Sequence, residues 1–297
     1  MNIVITGSLG HISQPLTKQL IQKGHSVTVI SSNTDRQAAI EALGAKAAIG
    51  SVDDANFLAS AFAGADLVYC MIPPAYYTNS SIEPMAFYRG TASAYAQAIQ
   101  QAGVKRAIHL SSFGADLDYG TGLILGSHNA ETILNDLSEV AITHIRPTSF
   151  YYNLFGFIGQ IKHTGRMAAN YGADDVIPMV SPSDIAQAIA EEIALPAHHR
   201  KVRYVSSDEL TGHEVAARLG AAIGRADLQW VLISDEETLA GLLAAGIPMH
   251  LASGMVELYG AIHSGRLQAD YLRNKPALGS VKLTDFANDF ALAYSRS

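Results

Sequence analysis

The chain has 297 residues, of which 48% are hydrophobic and 16% charged, with a formal net charge of −7. This composition supports a large buried core and argues against disorder, while the acidic balance and the lack of a Lys/Arg cluster argue against a nucleic-acid partner. The single cysteine, Cys70, excludes an intrachain disulfide and fits a reducing, cytoplasmic setting, and no stretch is long and apolar enough to span a bilayer.

In chain order, strand-like apolar runs alternate with helix-period segments. NIVIT starts directly after Met1, leaving no room for a leader. ISQPLTKQLIQKG, SVTVIS, TDRQAAIEALG, AKAAIG, DANFLASAFAG and DLVYCMI follow, then a long helix from about Glu83 to Ala102, the strand VKRAIHLSS, a helix from about Ser127 to Leu137, and AITHIRP. Gly24, Gly44, Gly64 and Gly103 stand where helices end. Continuous apolar strands separated by helices predict a doubly wound parallel α/β sheet of the Rossmann type, buried on both faces.

The first strand–helix seam reads TGSLGHIS. Gly7 turns the chain off the strand, Gly10 lets backbone approach a phosphate, and the small Ser13 lets the helix lie close to the strand. The loop Gly7, Ser8, Leu9, Gly10, His11 and Ile12 then offers amide groups and a positive helix end to a pyrophosphate. A plain tight turn would also use these glycines; the setting between the first strand and first helix favours nucleotide binding. The second strand ends in SSNTDR without a terminal carboxylate. Ser31, Ser32 and Asn33 can hydrogen-bond, and Arg36 can pair with a 2′-phosphate, so NADP (NADPH) is preferred and NAD stays open. Asp35 comes late and serves equally as a helix cap. In GSVDD, one of Asp53 and Asp54 is left for the adenine and the other caps the next helix; Asp53 is the adenine candidate.

These motifs, together with GSVDDANFLASAFAGADLVYCMIPP, VKRAIHLSS, THIRPTSFYYNL and SPSDIAQAIAEEIA, resemble the NmrA-like branch of the atypical short-chain dehydrogenases/reductases over nearly the whole chain. The resemblance implies that Met71, Ile72 and Pro73 line the nicotinamide side, that Ser111 ends the fifth strand at the reaction centre, and that Pro147 and Phe150, with Thr148 and Ser149, close over the nicotinamide ring. It implies either an NAD(P)H-dependent oxidoreductase, quinone-reductase-like in type, or a dinucleotide-sensing regulator without turnover.

In the segment equivalent to the one that carries the superfamily's Tyr-x-x-x-Lys pair, DLDYGTGLILGSHNAETIL, the pair is missing: Tyr119 is followed four positions on by Leu123. His128 falls near the lysine's place and is the candidate ribose or proton-transfer contact, against the reading of a helix-capping or solvent-facing histidine. Tyr119 is a further candidate proton donor, a weaker reading than that of a loop aromatic. A conjugated acceptor such as a quinone takes hydride with little acid assistance, which fits this departure better than a ketone or sugar does. A nucleotide-sugar epimerase or dehydratase is a further alternative, weakened by the same missing pair.

Residues 1–150 are therefore the expected dinucleotide-binding domain. Residues 151–297 are expected to form mainly a smaller α+β substrate-binding lobe, with some segments returning to the first domain. Tyr151, Tyr152 and Asn153, with Phe113 and the loop residues Tyr76 and Tyr77, are the candidate substrate pocket, against an ordinary aromatic helix face packed into a core. Asp184 reads as a structural anchor. A small-molecule substrate is expected; a homodimer is left open, and a protein partner belongs to the sensor reading. Adjacent His198 and His199 do not make a metal site, and neither a Gly-x-Ser-x-Gly elbow nor a P-loop is present.

Overall fold

The computed structural model describes residues 1–74 and 82–297. The chain divides into two compact units. Unit 1 holds Met1–Ala115, Gly126–Arg146 and Ile185–Arg203; unit 2 holds Asp116–Leu125, Pro147–Asp184 and Tyr204–Ser297.

Unit 1 is built on a seven-stranded sheet. In chain order its elements are β1 (Asn2–Ile5), α1 (Ser13–Gln22), β2 (Ser26–Ser31), α2 (Gln37–Ala42), β3 (Lys46–Ile49), α3 (Ala55–Phe62), β4 (Leu67–Met71), α4 (Pro84–Ala102), β5 (Arg106–Leu110), α5 (Leu125–Asn135) and β6 (Ala141–Pro147). The chain enters unit 2 and later returns through α7 (Pro182–Ala194) and β10 (Arg200–Val205). The sheet order is β10-β6-β5-β4-β1-β2-β3, with parallel pairing from β3 through to β6. β1 lies centrally, with β2 on one side and β4 on the other, so the crossovers diverge between β1 and β4. Such a switch point opens a crevice at the carboxyl ends of the strands.

Strand residues of both parities, among them Ile3, Val4, Val68 and Tyr69, are buried, as helices on both faces require. The helices bury residues at helical spacing: Leu16 and Leu20 on α1, and Tyr95, Ala98 and Ile99 on α4. The Glu83 carboxylate caps α4 by accepting from the amides of Met85 (3.0 Å) and Ala86 (2.6 Å), with Pro84 in the first turn. The four helix-ending glycines expected from the sequence all adopt left-handed angles.

Unit 2 mixes short strands and helices, as the expected α+β lobe does. β7 (Ser149–Phe150) leads into a 3₁₀ turn over Tyr151–Phe157 and α6 (Ile158–Thr164). β8 (Met167–Ala169), β9 (Val176–Val180), β11 (Asp208–Thr211), α8 (Gly212–Ala222), β12 (Trp230–Leu232) and α9 (Asp235–Ala244) follow. The remaining helices are α10 (Met249–His263), α11 (Ala269–Arg273) and α12 (Leu283–Arg296). β9 pairs with β7 in parallel and with β11 antiparallel, and β8 pairs with β12 in parallel. Among the described residues no helix is long and apolar enough to cross a membrane.

Two carboxylates latch the end of the chain to unit 2. Asp184 accepts from Ser207 Oγ (2.6 Å), from the amides of Ser280 (3.3 Å) and Val281 (3.1 Å), and from Ser280 Oγ (3.3 Å); this is the anchoring role its sequence position suggested. Asp208 accepts from the Leu283 amide (2.7 Å) and from the Tyr151 hydroxyl (2.8 Å). Burial, then the hydrogen bond to Asp208, pushes the Tyr151 phenol far up, so it stays a proton donor to that carboxylate. Replacing Tyr151 with phenylalanine removes a hydrogen bond to a charged group. The expected cost is about 1.5–3 kcal/mol, read as a lower urea midpoint; an unchanged midpoint would deny the latch its energetic role.

Candidate cofactor site

The seam after β1 is a compact, cross-linked turn. Gly7 sits at φ +90° and Ser8 at φ +54°. A Cβ on Gly7 would lie 2.6 Å from Ser13 Oγ and 2.9 Å from Met71 Cγ, so only glycine fits. A Cβ on Gly10 would meet the Gly7 carbonyl oxygen at 3.0 Å. Ser13 is more than small: its hydroxyl donates to the Thr6 carbonyl (2.8 Å) and pins the first turn of α1 to the end of β1. The amides of Ser8 and Gly10 are turned inward, to the carbonyls of Ile30 and Gly7 (3.0 Å each). Among the described residues the amides of Leu9 and Ile12 have no hydrogen-bond partner. Ile12 at the start of α1 brings no side-chain cap, and the first turn holds no acidic residue. The helix therefore presents uncompensated donors and its positive end where a diphosphate would dock.

The neighbouring strand ends are tied to this turn. The Met71 amide donates to Thr6 Oγ1 (2.8 Å), and the Tyr95 hydroxyl donates to the Met71 carbonyl (2.6 Å). Neither Thr6 nor Tyr95 stood out in the sequence, because both look like ordinary core residues. Met71 packs against Gly7, and Pro73 is half-buried. Ile72 corrects an expectation: strand alternation turns its side chain into the hydrophobic core with Val4, Val68 and Ala92 rather than toward a ligand.

At the end of β2, Ser31 also departs from its expected part. Its hydroxyl is buried, accepts from Ser8 Oγ (2.9 Å) and the Asn33 amide (3.2 Å), and donates to the Asn33 carbonyl (3.2 Å). It shapes the loop and has no donor left for a phosphate. Asn33 Oδ1 accepts from the Asp35 amide (2.8 Å), starting a 3₁₀ turn over Thr34–Arg36. Ser32 and Arg36 remain exposed. Asp54 caps α3 through the amides of Asn56 and Phe57 (3.0 Å each), leaving Asp53 exposed and uncommitted to that cap.

After β5 lies a buried polar cluster. Ser111 Oγ donates to Glu131 Oε1 (2.5 Å), and Arg146 grips the same carboxylate through Nε (2.9 Å) and Nη2 (2.6 Å). One turn before Glu131 on α5, His128 Nδ1 meets the Ala115 carbonyl at 3.0 Å. A carbonyl only accepts, so Nδ1 carries the hydrogen. Glu131 and Arg146 were not singled out in the sequence; the available signal was HNAE, which places Glu131 one turn after His128, and the arginine of HIRP. Phe113 corrects another expectation, being buried in unit 1 at 4% exposure instead of lining a pocket.

The remaining candidates lie in unit 2. Tyr119 is 68% exposed, with the Arg266 guanidinium 4.1 Å above its ring. Pro147 is buried, and Phe150 packs against Tyr152 at 4.9 Å. Tyr151, expected in the substrate pocket, is spent in the latch and stacked on Phe286. Asn153 is exposed. Tyr76 and Tyr77 lie outside the described residues.

The parallel sheet, its switch point and the glycine turn define a dinucleotide-binding α/β protein. Residues 7–196 match the sequence model of the NAD(P)H-binding family, and the chain belongs to that family. The fold agrees with the NmrA-like resemblance of its motifs. It is similar to the triphenylmethane reductase of Citrobacter sp. complexed with NADP(H), at 20% identity and a TM-score of 0.79 over 97% of this chain and 99% of that one. It is similar to the NADPH-dependent quinone oxidoreductase of Escherichia coli complexed with NADPH, at 21% identity and 0.79 over 97% and 99%. A nucleoside-diphosphate-sugar epimerase of Staphylococcus aureus shares the fold at 18% identity and 0.76 over 97% and 100%. No curated protein matches the chain by sequence.

Proposed function

We propose that this protein is an NADPH-preferring oxidoreductase that passes hydride to a quinone-like or other conjugated small acceptor. The observation carrying this reading is the commitment of the acid candidates beside β5. The Ser111 hydroxyl hydrogen is given to Glu131, and His128 gives its Nδ1 hydrogen to the Ala115 carbonyl. With no Tyr-x-x-x-Lys pair in the segment between β5 and β6, an acceptor that needs little proton donation suits the site. The named activities of the triphenylmethane reductase and the quinone oxidoreductase support the same class.

The chain's parts divide as follows. The turn from Gly7 to Ile12 holds the diphosphate, chiefly through the Leu9 and Ile12 amides. Ser32 and Arg36 face the 2′-phosphate, and Asp53 the adenine. His128 Nε2 meets a ribose hydroxyl, and Met71 and Pro73 border the nicotinamide. When bound, NADPH supplies the hydride; these residues supply its orientation.

Replacing Arg36 with alanine tests the cofactor preference. The loss of a charge-assisted contact is expected to weaken NADPH about tenfold or more and leave NADH unchanged, by calorimetry. Equal losses for both would remove Arg36 from the site. The sensor reading draws on the same shortage of proton donors. Anaerobic NADPH oxidation across a panel of quinones and other conjugated acceptors separates the two: tight NADPH binding with no turnover on any acceptor favours the sensor.

A further inference from the structure

The charge cluster under the end of β5 fixes the direction of one hydrogen bond. Glu131 is buried at 6% exposure and Arg146 at 6%. Arg146 donates to both carboxylate oxygens, Nε to Oε1 and Nη2 to Oε2. A carboxylate gripped in this way turns lone pairs to its partners. At 2.5 Å, Ser111 must therefore be the donor, and its hydrogen points inward. Ser111 retains 8% exposure, and what its oxygen has left to offer is lone pairs.

We infer that Glu131 is a positioning residue that makes Ser111 a hydrogen-bond acceptor, and that Ser111 uses this to take a carboxamide N–H of the nicotinamide. This rests on the cofactor reading above. A dinucleotide whose diphosphate sits over β1 and whose 2′-phosphate faces β2 extends its other nucleoside toward β4 and β5, where Ser111 lies. The nicotinamide carboxamide carries an N–H donor and a carbonyl acceptor, and an acceptor-only Ser111 selects the N–H. That choice sets which way the carboxamide is turned in its plane.

The test uses NADP⁺ and its 3-acetylpyridine analogue, which keeps the carbonyl and lacks the N–H, with affinities read by calorimetry on the full-length protein. The wild type is expected to bind NADP⁺ about fivefold more tightly than the analogue, the worth of one ordinary hydrogen bond. Ser111→Ala is expected to bind both equally. Ser111 and Arg146 Nε share Glu131 Oε1, so the test removes that oxygen. In Glu131→Ala the serine hydrogen loses its inward acceptor and is free to turn outward, so the preference for NADP⁺ is expected to disappear. A merely structural Glu131 would weaken both ligands alike and leave the ratio standing. If Glu131→Ala fails to fold, Ser111→Ala decides. Wild-type binding without discrimination, or a preference that survives in Ser111→Ala, overturns the inference while leaving the cofactor reading intact. Failure of the wild type to bind either ligand removes that reading and this inference with it.

Discussion

A Gly7→Val protein is expected to lose NADPH affinity by about a hundredfold while remaining folded. Two costs meet at this position. The φ of +90° forces a β-branched residue into backbone it rarely adopts, at about 1–3 kcal/mol. The new Cβ also overlaps Ser13 Oγ and Met71 Cγ, and relieving such overpacking costs about 1–3 kcal/mol more. Relief comes most cheaply by pushing Ser13 away from the Thr6 carbonyl, which swings the start of α1 out of place. The penalty therefore falls mainly on the phosphate turn, and about 2.7 kcal/mol of it converts to the hundredfold loss. Calorimetry with NADPH measures the affinity, and thermal melting shows whether the core survives. Affinity within threefold of wild type would show that the diphosphate does not depend on this turn.

Acid is expected to destabilise the protein steeply between pH 6.5 and about 3, with two buried histidines as the cause. His109 and His144 are register neighbours on β5 and β6, and their Nδ1 atoms face each other at 3.1 Å. His144 Nε2 meets Asn135 Oδ1 at 3.1 Å. This pattern assigns the Nε2 hydrogen to His144, so that His109 Nδ1 donates to His144 Nδ1. An added proton must place a charge in the core or set two N–H groups head to head. Burial is the chief cause of both low values, each about 3. The neighbouring His144 adds to it for His109, against a counteracting pull from Glu131; Arg146 and Arg200 add to it for His144.

The folded values lie below the unfolded one, so the unfolded chain binds more protons throughout this window. The full stability is present above about pH 6.5 and is lost as pH falls toward 3. By pH 5 each ring costs about 2 kcal/mol, together a large part of an ordinary 5–15 kcal/mol stability. Urea unfolding at pH 7.5 and pH 5.0 measures the difference, and a His109→Gln, His144→Gln double variant is expected to lose most of it. An unchanged difference in that variant would assign the acid sensitivity to carboxylates instead.

The elements legible in the sequence were those that rest on local rules. The β/α alternation comes from periodicity, and the turn at Gly7 from the φ that only glycine takes cheaply. Asp54 as the cap of α3 and Asp184 as an anchor follow from residues within a turn or so of a helix start. What escaped notice depended on contacts between distant residues. Glu131 reads as the polar face of a helix until Arg146 and Ser111, 15 and 20 positions away, are seen to meet it. Tyr151 reads as pocket lining until Asp208, 57 positions on, takes its hydroxyl. Ser31 illustrates the same gap at short range: a serine in a polar loop looks available to ligand, yet its bonds to Ser8 and Asn33 consume it. Composition reports that a side chain can hydrogen-bond; only the fold decides with whom.

The latch at Asp184 and Asp208 also orders the assembly of unit 2. Both carboxylates depend on amides of Ser280, Val281 and Leu283, which stand 96, 97 and 75 positions further along the chain. Until that distant segment arrives, each carboxylate keeps only part of its set of donors, and an under-solvated carboxylate resists desolvation. The interior of unit 2 therefore closes late, on a contact of high sequence separation, and the loop spanning it is a slow step by the entropy of bringing its ends together.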